Sequence, residues 1–307
     1  MDIRLRTYRH PDDYEAVGKL LVRTYRMPGP HRNWPQPRWE YMHAHPLCDE
    51  SRLGGFGVWE RDGGVVGIVH HEHRPGVVYV ELAPACAFLK PDMLAYAAEN
   101  LGAADGNVRS VEVFINDADE GFQRIAAEAG FERNAKRGED MSHLPISDPF
   151  PPIRLPEGFH LRSLADENDL HKVHRVLHRG FNHPGEPPAD GIEGMRKMQS
   201  APNFRPELTI VVEAPGGEFV SYCGMWYEAA NGLAYVEPVC TDPDYRRRGL
   251  GTAAVLEAIR RCGALGATVA CVGTTKPFYL SMGFKQVYAT HAWRKEQADC
   301  TDECGLG

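Results

Sequence analysis

The stretch Tyr235 to Thr252, YVEPVCTDPDYRRRGLGT, decides the fold. Leu233 to Cys240 is rich in β-branched, aromatic and sulfur-containing residues and reads as a buried strand. Asp242-Pro243-Asp244 ends it with turn chemistry. Arg246-Arg247-Arg248-Gly249-Leu250-Gly251 then leads into a helical pattern in which Val255, Leu256, Ile259 and Cys262 make one apolar stripe. A strand feeding a glycine-opened helix start is an anion site. The first turn has unpaired N–H groups, the helix dipole is positive there, and two glycines let a phosphate approach the backbone.

Several nucleotide folds build such a site, and the neighbouring residues separate them. Gly249-Leu250-Gly251-Thr252-Ala253-Ala254 satisfies the dinucleotide pattern G-x-G-x-x-A. That pattern needs an acid near the end of the next strand, whereas Ala267 to Val272 runs into Gly273-Thr274-Thr275. A phosphate-binding Gly-Lys-Ser/Thr occurs nowhere in the chain. What remains is Arg-x-x-Gly-x-Gly after a strand and opening a helix, followed by Phe278-Tyr279-Leu280-Ser281-Met282-Gly283-Phe284. The two motifs, in this order, resemble the pyrophosphate motif and the F-Y-x-x-x-G-F motif of the GNAT acyltransferase superfamily. The resemblance implies an acyl-CoA donor, most simply acetyl-CoA, and direct transfer to an amine.

It also implies roles. Arg246, Gly249, Leu250, Gly251 and Thr252 would hold the CoA pyrophosphate, and Arg247 and Arg248 would be available to the phosphate on its adenosine. Val239, Cys240 and Thr241 would line the pantetheine arm, with a backbone N–H near Val239 polarising the thioester carbonyl. Tyr279 matches the general acid for the departing thiolate, and a phenol of ordinary pKa, about 10, keeps its proton at neutral pH. The bland alternative is a packing tyrosine. Glu237, a carboxylate in an apolar strand, suits a base that takes the amine proton. Against that, Glu81 holds the matching place in an earlier part of the chain, which points to a structural role instead.

That earlier part is a repeat. Residues 3–25 align without gaps to 159–181, an offset of 156 positions, with identities at Leu5/Leu161, Arg6/Arg162, Asp13/Asp169, Val17/Val173, Leu21/Leu177 and Arg23/Arg179. Tyr79-Val80-Glu81 repeats at Tyr235-Val236-Glu237, while Gly63-Gly64 and Gly130-Phe131 repeat as Gly216-Gly217 and Gly283-Phe284. The expected fold is therefore α/β, two tandem GNAT-like domains, each a mixed, mainly antiparallel sheet flanked by helices. The proline-rich stretch from His143 to Gly158 reads as the connection, giving domains at 1–145 and 159–296, a linker at 146–158 and a tail at 297–307. Where the second copy has its glycine pair, the first has Cys86-Ala87-Phe88-Leu89-Lys90-Pro91, and Gln123-Arg124 replaces Phe278-Tyr279. The first copy is thus expected to lack a working acyl-CoA site. This layout is similar to that of mycothiol synthase, a tandem member of the same superfamily.

Composition narrows the partners. At 307 residues with 43% hydrophobic and 25% charged content, the chain reads as globular. A net charge of −8 argues against nucleic acid or an anionic membrane and mildly favours an amine-bearing small molecule. Eight scattered cysteines and no signal-like start point to reduced thiols in a cytoplasmic setting. No metal is expected: His70-His71-Glu72-His73 falls in a strand, whose alternating faces keep three histidines from converging. Cys300 and Cys304 sit in a polar tail. The proline- and glycine-rich stretch Asn182 to Gly191 reads as a mobile loop, and the GNAT resemblance implies that this region helps form the acceptor site, with His183 and Glu186 as candidates. The acceptor itself stays open, as do a peptide amine, a non-catalytic CoA-binding module, a silent tandem scaffold and an oligomeric state.

Overall fold

The computed structural model describes residues 2–25, 33–105 and 108–298; Cys300 and Cys304 lie outside these. In chain order the first half forms β1 (Ile3–Thr7), α1 (Asp12–Thr24), α2 (Gln36–Ala44), β2 (Gly57–Arg61), β3 (Gly64–His71), β4 (Val77–Leu82), α3 (Lys90–Asn100), β5 (Ala103–Asp105), β6 (Val108–Asn116), α4 (Glu120–Glu128) and β7 (Glu132–Pro145). The second half forms β8 (His160–Ser163), α5 (Leu170–Gly180), α6 (Gly191–Gln199), β9 (Ile210–Glu213), β10 (Phe219–Glu228), β11 (Leu233–Thr241), α7 (Leu250–Ala264), β12 (Val269–Val272), α8 (Pro277–Leu280) and β13 (Lys285–Ala298).

Two compact units result. One holds Met1–Gln36, Leu47–Asp140 and Val287–Gly307, the other Pro37–Pro46 and Met141–Gln286. The first unit orders its strands β1-β2-β3-β4-β6-β13, with β5 on β6. The second runs from the end of β7 through β12-β11-β10-β9-β8. Each is a mixed sheet in which one central pair is parallel, β4 with β6 and β11 with β12, and the other pairs described are antiparallel.

This division departs from the linear boundary that the prolines suggest. The final strand of each half joins the other unit: Ser142–Pro145 of β7 pairs with β12, and Thr290–Ala298 of β13 pairs with β6. His143 to Pro145 are therefore strand rather than connection. Residues 37–46 of the first half also belong to the second unit. A strand's apolar pattern states which faces it buries, not which sheet edge it joins.

The repeat is visible in side-chain chemistry. Arg6 and Arg162, matched by the offset, both reach a glutamate on the neighbouring strand, Glu60 and Glu213. Asp13 accepts the Arg9 N–H at the start of α1, and Asp169 accepts the N–H groups of His171 and Lys172 at the start of α5. Val17, Leu21, Val173 and Leu177 are all buried. One apolar stripe per helix packs it on its sheet.

The second unit's core holds the site in place. Leu250, Ala254, Val255, Ala258, Ile259 and Cys262 of α7 pack on Val212, Val220, Cys223, Met225, Ala234 and Val236 of the sheet. Glu257, buried on the same helix, is held by Arg260 and Arg261 one turn on. The start of α7 is thus rigidly placed.

Candidate active site

Four chain segments build a cleft of about 500 Å³ in the second unit: the end of β11, the turn into α7, the first turn of α7, and the residues around α8. Its opening begins in the sheet. β11 and β12 pair only from Leu233↔Val269 to Tyr235↔Cys271, after which β11 continues to Thr241 paired with β10 alone. Two parallel strands that part leave backbone edges free at the parting point.

The turn is fixed by a buried carboxylate. Asp242, fully buried, accepts two hydrogen bonds from Arg179 of α5 at 2.5 and 3.0 Å and one from the Asp244 N–H at 3.1 Å. Burial pulls its pKa up, but these bonds and the charges of Arg179 and Arg175 hold it below the usual carboxylate range. Tyr245 donates to Glu218 at 2.6 Å and ties the same turn to β10. The chain then passes Arg247 at φ +64° and Gly249 at φ +79°. A Cβ is disfavoured in this left-handed region, by about 1–2 kcal/mol, so glycine suits the second position. Gly249 caps α7 with no side-chain bond, which leaves the first N–H groups of the helix to face the cleft.

Space is kept open by absent side chains. A Cβ at Gly251 would lie 3.0 Å from Thr241 Oγ1 and 3.3 Å from the Phe278 ring, on the cleft wall. Gly180, the last residue of α5, also lines the cleft. A Cβ there would lie 2.5 Å from Cys240 Sγ, so only glycine lets α5 and β11 come this close.

Most residues expected from sequence meet here. Val239, Cys240, Thr241, Arg246, Arg247, Gly249, Leu250, Gly251, Thr252 and Tyr279 line the cleft. Arg248 does not: it lies over the Tyr245 ring and donates to the Asp244 carbonyl. Arg246 has a double task, since its guanidinium donates to the carbonyls of Thr241 and Gly180 and to Asn182 Oδ1, joining the turn to the end of α5. Cys240 is no nucleophile. Its thiol donates to the Val176 carbonyl, and burial pushes its pKa up to about 12.

Tyr279 is buried between Phe278 and Phe284, with ring centres 4.9 and 5.7 Å away. Burial raises its pKa well above the ordinary phenol value, and the charge of Glu237 adds to the rise, followed by the thiols of Cys223 and Cys240. The phenol therefore holds its proton throughout the neutral range, as a proton donor must. Glu237 is half-buried, does not line the cleft, and is close enough to Tyr279 for their charges to couple. Sequence reasoning gave no role to Gly180, Tyr245, Lys276 or Phe278, which all line the cleft. A signal existed for Gly180: the offset of 156 matches it to Thr24, an unusual exchange at the end of an otherwise similar helix.

Residues 205–286 match the family model described as an acetyltransferase (GNAT) domain. The second unit carries a GNAT domain. Solved structures agree on the fold over nearly the whole chain. A GCN5-related N-acetyltransferase from Sphaerobacter thermophilus is 18% identical, with 96% of this chain and 95% of that chain covered and a TM-score of 0.65. A tandem GNAT protein from the clavulanic acid biosynthesis pathway is 14% identical, covering 96% and 98%, at a TM-score of 0.63. Saccharomyces cerevisiae N-myristoyltransferase is 12% identical, covering 97% and 80%, at 0.56. No curated protein sequence matches the chain. The fold is thus a tandem GNAT fold. Among the described residues, no group of three or more His, Cys, Asp or Glu side chains could hold a metal ion, and no helix is long and apolar enough to cross a membrane.

Proposed function

We propose that the chain is an acetyl-CoA-dependent N-acetyltransferase whose second unit performs the reaction and whose acceptor is a small molecule bearing a primary amine. The observation that carries this reading is a single cleft with the first turn of α7 at one end and the protonated Tyr279 in its wall. A long, phosphate-ended ligand would use both.

In this reading the N–H groups at the start of α7 and the Arg246–Arg247 turn receive the pyrophosphate. The edge of β11 around Val239 and Cys240 takes the pantetheine amides, since that edge has left its ladder with β12. The acceptor amine attacks the thioester carbon while a backbone N–H near Val239 stabilises the charge that develops on the carbonyl oxygen. The amine's proton leaves toward Glu237, directly or through water. Tyr279 gives its own proton to the departing CoA thiolate. The new bond is the amide C–N and the broken one the thioester C–S, so no covalent enzyme intermediate is needed. The inert thiol of Cys240 accords with this.

The test is thiol release from acetyl-CoA against a panel of small amines, aminoglycosides and peptides. Turnover with one amine class, lost in Tyr279→Phe while CoA affinity persists, is the expected result. Binding without turnover for any acceptor would leave a CoA-binding module instead.

A further inference from the structure

The pairing of β10 with β11 contains an irregularity at the cleft. Cys223 is opposite Val239 and Met225 is opposite Val236, so Gly224 faces two residues of β11, Glu237 and Pro238. This is a β-bulge placed one residue before Val239. Gly224 is required by it, because a Cβ there would lie 2.4 Å from the Glu237 carbonyl oxygen. Pro238 has no N–H to give to a ladder. The bulge has a dedicated support: the indole N–H of Trp226 donates to the Glu237 carbonyl at 2.8 Å.

The indole is itself held. It is 3% exposed and meets Tyr41 and Phe204 edge-on, with ring centres 5.9 and 6.3 Å away. Phe204 follows Asn203, whose backbone N–H and side-chain amide both donate to the buried Glu40 at 2.6 Å. Glu40 and Tyr41 belong to α2, the segment that the first half of the chain contributes to the second unit. A line of contacts therefore runs from α2 through Trp226 to the backbone just before Val239.

We propose that Trp226 is a positioning residue for acyl transfer, and that α2 seats it. By fixing the bulge at Glu237 and Pro238, the indole N–H sets the direction of the Val239 backbone against the thioester carbonyl. This gives the first half of the chain a part in catalysis. The proposal rests on the acyl-transfer reading above.

The test uses acetyl-CoA labelled with ¹³C at the thioester carbonyl, bound to the full chain. Calorimetry gives the affinity and carbon NMR the carbonyl shift. The wild type is expected to move the carbonyl resonance downfield on binding, the signature of a hydrogen bond to that oxygen. Trp226→Phe keeps an aromatic ring but removes the N–H. It should bind acetyl-CoA within about twofold of the wild type and lose most of the downfield shift. Tyr41→Leu, which unseats the indole without touching the bulge, should show part of the same loss. A full downfield shift in Trp226→Phe, or none in the wild type, would overturn the proposal. So would a parallel loss of affinity and melting temperature in Trp226→Phe, since that marks a residue needed only for folding. If the wild type binds neither acetyl-CoA nor CoA, the acyl-CoA reading itself has failed, and this inference with it.

Discussion

The same place in the two units is built in opposite ways. In the second unit, β11 parts from β12 and its free edge faces a cleft. In the first, β4 parts from β6 after Val78↔Val113, and Asn33 takes up the backbone of Leu82 at its end, accepting the Leu82 N–H and donating to the Leu82 carbonyl, both at 3.1 Å. Asn33 is steadied by Thr24, which the offset matches to Gly180. Glu81, the counterpart of Glu237, is 1% exposed and accepts the Trp34 N–H at 2.7 Å, beside His70. At the start of α3, Lys90 crosses to Asp119 at 2.6 Å and covers the Phe122 ring, where the second unit leaves its helix start open. In the first unit, side chains of the chain itself reach into the parting, whereas the matching place in the second unit borders the cleft.

Changes on each side can break or sharpen this contrast. The largest effect is expected from Tyr279→Phe, with kcat for an amine acceptor down about 10²–10⁴-fold and the acetyl-CoA dissociation constant unchanged. Steady-state rates beside calorimetric titration check it. Because the phenol pKa is raised, the wild-type kcat should also show no fall caused by its ionisation below pH 10 or so.

Asp242→Asn removes the anchor of the turn and leaves Arg179 without its buried partner. Stability should drop by about 2 kcal/mol, the scale of lost hydrogen bonds to a charged group, since Arg179 keeps Asp244; the denaturation midpoint reads it. The native pKa of Asp242 is depressed, so its contribution is complete above the unfolded value near 4 and is lost as pH falls through the native value. The wild type's advantage over the variant should therefore vanish only in strong acid. An advantage that vanishes between pH 6 and 5 would contradict the assignment.

Gly251→Leu places atoms where Thr241 and Phe278 already stand, and should weaken acetyl-CoA binding about ten- to a hundredfold while the chain stays folded at a somewhat lower melting temperature. Arg246→Ala should cost about tenfold in the same titration, because its exposed guanidinium is partly spent on carbonyls of its own chain. Lys90→Ala in the first unit should leave acetyl-CoA affinity where it is. A loss there would mean that the first unit's helix start also binds the donor.

Much of this was legible in the sequence because local rules govern it. The glycine-opened helix after a strand, the F-Y-x-x-x-G-F segment and the paired arginines of the repeat are short-range patterns, and each stands where its pattern places it. What escaped is long-range. α2 shows no apolar stripe because Pro37 and Trp39 to Ala44 are all buried, so nothing in its spacing separates inside from outside. Asn33 and Trp34 reach partners on β4 that lie 49 and 47 residues away, and no motif records that. The exchange of β7 and β13 follows from which edges lie adjacent, a property of the assembled sheet. Trp226 was invisible as a support because its partner is a backbone carbonyl, which every residue has.

On this account the donor enters the strand parting of the second unit and not that of the first. Calorimetric titration of the full chain with acetyl-CoA, read for stoichiometry, tests it most directly. One site per chain is expected, and it should weaken strongly in Gly251→Leu. Two sites per chain, or none at millimolar ligand, would contradict it.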